Sequence, residues 1–248
     1  MITAFRTELK KLLTVRSTYY LLGFVFLLIS FLSFYISGWH LHRVDLLSPT
    51  ALSGDITIAI SGVSIFVALI AVLQMTHEYR YNTIIYSLTL SNNRNKVMLA
   101  KILVITGLSI IFTLFFATYS PLIAALGIHI HHLHLVPQTI HYWSLLWRCL
   151  FFGWGYAMAG LVIAALIRNQ VGAIITLFIV PTVVEGILQQ LLNNNVVYLP
   201  FSALHQVIGS GRDFNSRLSA IHAVMVFMGY LIVAWIVAWA LFLRRDAE

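Results

Sequence analysis

The sequence predicts an all-α, polytopic membrane protein with six transmembrane helices, an N-terminal interfacial amphipathic helix and both termini cytoplasmic. Three observations predict it. Of 248 residues, 60% are apolar and 9% charged, and the mean hydropathy is +0.90, far outside the soluble-globular range. Six stretches reach the roughly 20 apolar residues that a helix needs to cross a ~30 Å hydrocarbon core. Eleven of the fifteen Lys and Arg fall in segments that those stretches place on one side. Cytoplasmic loops retain basic residues because they are not translocated, so this side is the inside. The apolar runs are continuous rather than alternating, which argues against a β-barrel.

Residues 2–16 precede the first span. At about 100° per residue, Ile2, Phe5, Leu9, Leu12 and Leu13 share one arc, with Glu8 and Lys11 away from it. Such a helix lies in the interface plane, its basic residues near lipid phosphates; the alternative is a plain cytosolic start to the first span. The six spans cover 18–38, 56–76, 97–127, 143–167, 171–192 and 219–243. The first follows a basic start, yet it is too long for a cleaved leader and no small-x-small site follows, so it reads as retained. Tyr19 and Tyr20 mark its inner boundary and Trp39 its outer one.

Span two ends in the polar and aromatic run Gln74 to Thr83, which continues to Lys96 as the longest cytosolic loop. That length suits a helix lying against a soluble partner. Span three exceeds one bilayer thickness and contains Pro121, where the helix kinks or soon ends. The link Arg168-Asn169-Gln170 is so short that spans four and five must be antiparallel neighbours. Residues 193–217 form the longest outer loop, with Pro200 and a Gly209-Ser210-Gly211 turn. Its middle, Leu199 to Ile208, is apolar enough to dip back into the interface. There is no internal repeat or low-complexity linker, so residues 1–248 read as one domain.

The formal charge of +7 is spread over inner loops beside anionic lipid and does not mark a nucleic-acid binder. Cys149 is the single cysteine, so no intrachain disulfide exists. His129, His131, His132 and His134, with His141 nearby, have spacings that can gather Zn or Cu. No carboxylate or second cysteine accompanies them to orient a metal, and an outer loop of uncharged amphipathic side chains is the plainer account. His77-Glu78 begins like a zinc-hydrolase helix, but Tyr81 stands where the second His is needed. The Gly-x-Ser-x-Gly elbow and the P-loop are absent, and Asp45 and Asp55 fall in an outer loop. These absences exclude the usual routes to bond chemistry and to ATP binding.

Two charges fall inside spans. Arg148 and Glu185 sit at depths about 3 Å apart on adjacent helices, and either alone in lipid costs several kcal/mol. They are therefore expected to pair, either as a polar point on a transport path or as a lock between helices. Pro181 adds a kink nearby. Gly153, Gly155, Ala157, Ala159 and Gly160 make a small-residue seam, read as close internal packing or as a dimer contact.

Glu8-Leu9-Lys10-Lys11-Leu12-Leu13-Thr14-Val15-Arg16-Ser17 resembles the opening of bacterial ABC-2 type exporter permeases. Glu78-Tyr79-Arg80-Tyr81-Asn82-Thr83-Ile84, followed by Arg94 and Lys101, resembles their loop after the second span. Tyr198-Leu199-Pro200-Phe201-Ser202-Ala203 is similar to a segment before their last span. Asn82 stands where the family usually has Gly, and Leu90-Ser91-Asn92-Asn93 lacks the Pro common before the Arg.

The resemblance implies a multi-pass permease of the bacterial plasma membrane, with no cofactor or enzyme activity of its own. Its partner would be a separate cytosolic ABC ATPase that binds ATP and Mg. Glu78, Tyr79, Arg80, Tyr81, Asn82, Thr83 and Arg94 would form the coupling loop on that ATPase. Phe5, Arg6, Glu8, Lys10 and Lys11 would belong to the interface helix beside it. A second permease subunit, identical or different, would face the first across the substrate path. The aromatic and aliphatic spans suit a hydrophobic or amphipathic cargo, an antimicrobial peptide or drug first. The alternatives are an ion- or proton-coupled secondary transporter working through Glu185, and a metal- or ion-exporting permease using the outer histidines.

Overall fold

The computed structural model describes residues 2–35, 51–80, 94–130, 141–209 and 218–244. In chain order the helices are α1 (Ile2–Thr14), α2 (Arg16–Phe31), α3 (Ala51–Arg80), α4 (Arg94–Ile130), α5 (Tyr142–Ile167) and α6 (Gln170–Ile179). A π-helical turn (Val180–Val184) leads into α7 (Glu185–Leu192), and a 3-10 turn (Asn193–Tyr198) leads into α8 (Pro200–Ile208) and then α9 (Ala220–Arg244). Among the described residues there is no strand. Among the described residues six segments are long and apolar enough to cross a membrane: Arg16–Tyr35, Leu52–Arg80, Asn95–Ile130, Tyr142–Ile167, Gln170–Leu192 and Ala220–Leu241.

α5 is the axis of the bundle, packed against α3, α4, α6, α8 and α9. Its small residues are what let it sit there. A Cβ on Gly160 would lie 2.6 Å from the carbonyl oxygen of Ala68, and one on Gly153 would lie 2.4 Å from Thr113 Oγ1. The seam is thus consumed within the chain, by backbone approach to α3 and α4. α2, α6–α7 and α9 line the periphery and turn apolar rows outward, among them Phe24, Leu27, Val171, Ile175, Ile232 and Ile236.

Two helices depart from the expected boundaries. α3 runs from Ala51 to Arg80, so Asp55, expected in a loop, lies within the helix and is buried. At its other end Glu78, Tyr79 and Arg80 form the last turn of α3 rather than a loop. α4 continues through Pro121 to Ile130 as one helix of 37 residues, about 55 Å long. Its proline neither ends the helix nor prevents the next turns from forming.

The link between α5 and α6 turns within two residues. Arg168 takes the left-handed conformation (φ 57°) and closes α5, and the Asn169 side chain accepts from Gly172 N–H at 3.0 Å to open α6. The antiparallel pairing of α5 and α6 follows.

The segment 199–208 does more than dip. It folds as α8, whose Phe201, Leu204 and Val207 are buried against α5 and α9. The rings of Tyr156 and Phe201 are 5.4 Å apart. Tyr156 is about 21 Å along α5 from Tyr142, so the N-terminus of α8 lies well inside the bundle. Gly209, at φ 76°, terminates α8.

Candidate functional site

One end of the bundle gathers α1, the C-termini of α3, α5 and α9, and the N-termini of α4 and α6. α1 presents three faces there. Glu8, Lys11, Leu12 and Val15, spaced by three and four residues, turn toward the bundle, and Glu8 and Leu12 are buried. Phe5, Leu9 and Leu13 stay exposed on the second face, and Arg6 and Lys10 on the third. The exposed apolar arc fits an interfacial helix. Glu8, however, points into protein and not toward water, because its counter-charge lies on α4.

That counter-charge is Lys101. Its ammonium donates to Glu8 Oε2 at 2.8 Å and lies 3.0 Å from Glu78 Oε1. Lys11 contacts the same two acids, Glu8 Oε1 at 2.7 Å and Glu78 Oε1 at 2.5 Å. The four charges therefore alternate around a ring and cancel. Lys101, Glu8 and Glu78 side chains are 1%, 2% and 5% exposed, and Lys11 closes the rim at 41%. Gln74, one turn before Glu78, donates from Nε2 to Glu8 Oε2 at 3.3 Å and accepts from Lys101 through its backbone carbonyl at 3.4 Å.

Burying three charges is tolerable only because each meets an opposite one at hydrogen-bond distance. Burial alone pushes the Glu8 carboxyl up, but Lys101 and then Lys11 outweigh it and hold the group below its ordinary value. Burial likewise pushes the Lys11 ammonium down, and Glu78 and Glu8 outweigh it to raise it.

A second layer sits beside the ring. Arg80 Nη1 donates to Gln170 Oε1 at 3.0 Å, joining the end of α3 to the start of α6. Arg168 Nη2 donates to the Leu241 carbonyl at 3.2 Å, and its guanidinium lies 5.2 Å from the Tyr79 ring centroid. The last turn of α3 is thus tied to α1, α4, α6 and, through Arg168, α9, at the point where residues 81–93 begin. The contacts hold six helix ends together.

Of the residues singled out in the sequence, Phe5, Arg6, Glu8, Lys10, Lys11, Glu78, Tyr79 and Arg80 all come to this end. Tyr81, Asn82 and Thr83 lie outside the described residues, and Arg94 is placed as the first residue of α4. Glu78 is buried and pairs with Lys11 and Lys101. Lys101, Gln74 and Arg168 were not picked as site residues. The available signal was a lysine at the start of an apolar span together with an acid and a base three apart on the preceding amphipathic helix.

The expected Arg148–Glu185 pair does not form. The Glu185 carboxylate accepts instead from Phe201 N–H and Ser202 N–H, both at 2.7 Å, and from the Ser202 hydroxyl at 2.6 Å. The first turn of a helix leaves N–H groups without intrahelical partners, and inside a bilayer these must be met by protein. Pro200 at the start of α8 removes one such donor, and Glu185 satisfies the next two. The π turn before it, in which Glu185 N–H reaches the Val180 carbonyl, inserts a residue and spoils the register on which the pairing was judged. The Arg148 guanidinium lies 5.7 Å from the Trp147 ring, and its Nε is buried without a hydrogen-bond partner.

His129 ends α4 exposed; His131, His132 and His134 lie outside the described residues. Among the described residues no three His, Cys, Asp or Glu gather as a metal site.

A search of curated proteins finds none that matches the chain. A family model described as ABC-2 family transporter protein matches residues 4–189, a stretch from α1 into α7 that includes the whole charge ring and, of the second layer, Tyr79, Arg80, Arg168 and Gln170 but not Leu241. With six helices able to span a membrane and a family match over most of its length, the chain belongs to the ABC-2 transporter family, as a multi-pass membrane permease that serves transport.

Proposed function

We propose that this chain is the membrane-spanning subunit of an ATP-driven exporter of the bacterial plasma membrane, with hydrolysis carried out by a separate cytosolic ATPase that holds ATP and Mg. The bundle end carrying α1 faces the cytosol, where most of the Lys and Arg reside. The observation that carries the reading is the ring of Glu8, Lys11, Glu78 and Lys101, which makes α1 and the ends of α3 and α4 one rigid body. Residues 81–93, which follow Arg80 in the sequence, act as the coupling segment seated on the ATPase. A push on this segment moves the helix ends together instead of bending one loop. Two such subunits, identical or different, flank the path of an amphipathic cargo, a peptide or drug first.

A proton-coupled transporter would need Glu185 as its carrier. The three hydrogen bonds that the carboxylate accepts give it a structural task instead, as the cap of α8. The test is co-expression with candidate ATPase subunits and purification in lipid nanodiscs. A stable complex whose ATP hydrolysis falls with Tyr81→Ala and Asn82→Ala supports the reading. Absence of any ATPase complex, with transport driven by a proton gradient alone, overturns it.

A further inference from the structure

Beside Glu185 the bundle holds a partly open cleft of about 310 Å³, between α5, the α6–α7 segment and α8. Its walls combine one carboxylate with aromatic rings: Glu185, Tyr156, Phe178, Phe201 and His205, with Gln189 at the edge. The Tyr156 ring centroid lies 5.4 Å from that of Phe201, tilted by 50°, and 5.8 Å from that of His205, nearly perpendicular at 88°, so the three rings pack as one cluster in the cleft wall. Glu185 is 3% exposed. Its oxygens are hydrogen-bonded by neutral donors, and among the described residues no cation forms an ion pair with it.

A carboxylate at membrane depth that is hydrogen-bonded but lacks a counter-cation leaves a net negative field inside the cavity. Aromatic faces stabilise the same sign of ligand through their quadrupoles. The volume sits at the small end of ligand pockets, roughly 300–1,000 Å³, enough for an ammonium or guanidinium head with a short apolar neighbour. The wall of α6–α7 is interrupted by the π turn Val180–Val184, a feature frequent at functional sites. Glu185 is fifteen residues from Gln170, about 22 Å along the span, so the cavity lies in the half of the bundle away from α1.

We propose that this cavity binds the cationic head of an amphiphile, the ammonium or guanidinium held by Glu185 and the Tyr156–Phe201–His205 rings. Its use as a cargo site rests on the permease reading above; the binding itself does not. The test therefore uses the isolated chain in nanodiscs, without ATPase, and measures benzyltrimethylammonium binding by calorimetry. Neopentylbenzene, in which carbon replaces the charged nitrogen, is the neutral comparison.

The cation is expected to bind at least about tenfold more tightly than its neutral counterpart. Glu185→Gln is expected to erase that preference. Because this change also disturbs the α8 cap, Gly186→Leu provides a second variant. Gly186 lines the cavity and a Cβ there meets nothing within 4 Å, so the leucine has room to grow and occupy it while Glu185 stays in place. Glu185→Gln should lower the affinity for the cation to that for neopentylbenzene, and Gly186→Leu should lower both. Equal affinity for cation and neutral isostere overturns the proposal, as does cation binding unchanged in both variants, or no binding to the unaltered chain. Failure of ATPase association with cation binding intact would sink the permease reading alone.

Discussion

Replacing Lys101 by methionine keeps the length and apolar stem of the side chain but removes the ammonium from the centre of the charge ring. Three contacts are lost, to Glu8 Oε2 at 2.8 Å, Glu78 Oε1 at 3.0 Å and the Gln74 carbonyl at 3.4 Å. Glu8 then keeps Lys11 as its one cationic partner among the described residues, and that lysine is partly in solvent. Removing one member of a buried pair costs roughly 3–5 kcal/mol, mostly because the other charge is left uncompensated. Glu8→Gln alone leaves Lys101 similarly deprived and belongs in the same range. The double variant removes one charge of each sign and restores neutrality, so its cost should fall short of the sum by roughly 2 kcal/mol or more. The assay is SDS-induced unfolding in mixed micelles, followed by tryptophan fluorescence. A cost for Lys101→Met below about 1 kcal/mol, the scale of a surface pair, would refute the reasoning, as would strict additivity in the double variant.

The Glu8 carboxyl is held below its ordinary value of 4.5. Its contribution to stability is therefore complete above that pH and is lost as pH falls through the lowered value, and Glu8→Gln should flatten this acid limb of the unfolding profile. The Lys11 ammonium is raised above 10.5, so its contribution is complete below that pH and disappears as pH rises through the raised value; Lys11→Met should remove the alkaline limb. Gly160→Ala forces a Cβ to 2.6 Å from a backbone oxygen and should cost about 1–3 kcal/mol by overpacking. Gly23→Ala, with nothing within 4 Å, should be neutral or stabilise by up to about 1 kcal/mol in the same unfolding assay. Glu185→Ala strands two N–H groups of α8 and should cost at least about 1–3 kcal/mol. Arg148→Met should show no coupling to it in a double-variant cycle, whereas a coupling above about 1 kcal/mol would restore the discarded ion pair.

The spans were legible because a bilayer imposes a length and a composition that few alternatives satisfy. The turn at Arg168 and Asn169 was equally plain, since so short a link leaves two helices no other arrangement. The direction in which Glu8 points was not legible. Periodicity reports the apolar arc of α1, and on that measure a glutamate beside the arc belongs to water. Only the arrival of Lys101 from α4, some ninety residues later in the chain, makes the buried orientation favourable. Lys101 itself looked like one more inner basic residue, because charge counting records a side and not a partner. Glu185 failed for a different reason. Matching depths at a fixed rise per residue ignores a π turn, and pairing two charges ignores the unmet N–H groups of α8, which were nearer and needed an acceptor. Those donors appear only once residues 200–208 are known to form a helix inside the bundle.

The central claim is that force from a separate ATPase enters at the segment following Arg80. Its most direct test places a benzophenone crosslinker on Asn82→Cys in a Cys149→Ser background, which removes the one native, buried thiol. The same probe on Tyr142→Cys, an exposed position at the opposite end of the bundle, serves as the comparison. The account predicts photo-crosslinking to the ATPase subunit from position 82 and none from position 142. Crosslinking from 142 but not from 82, or from neither in a complex that hydrolyses ATP, would contradict it.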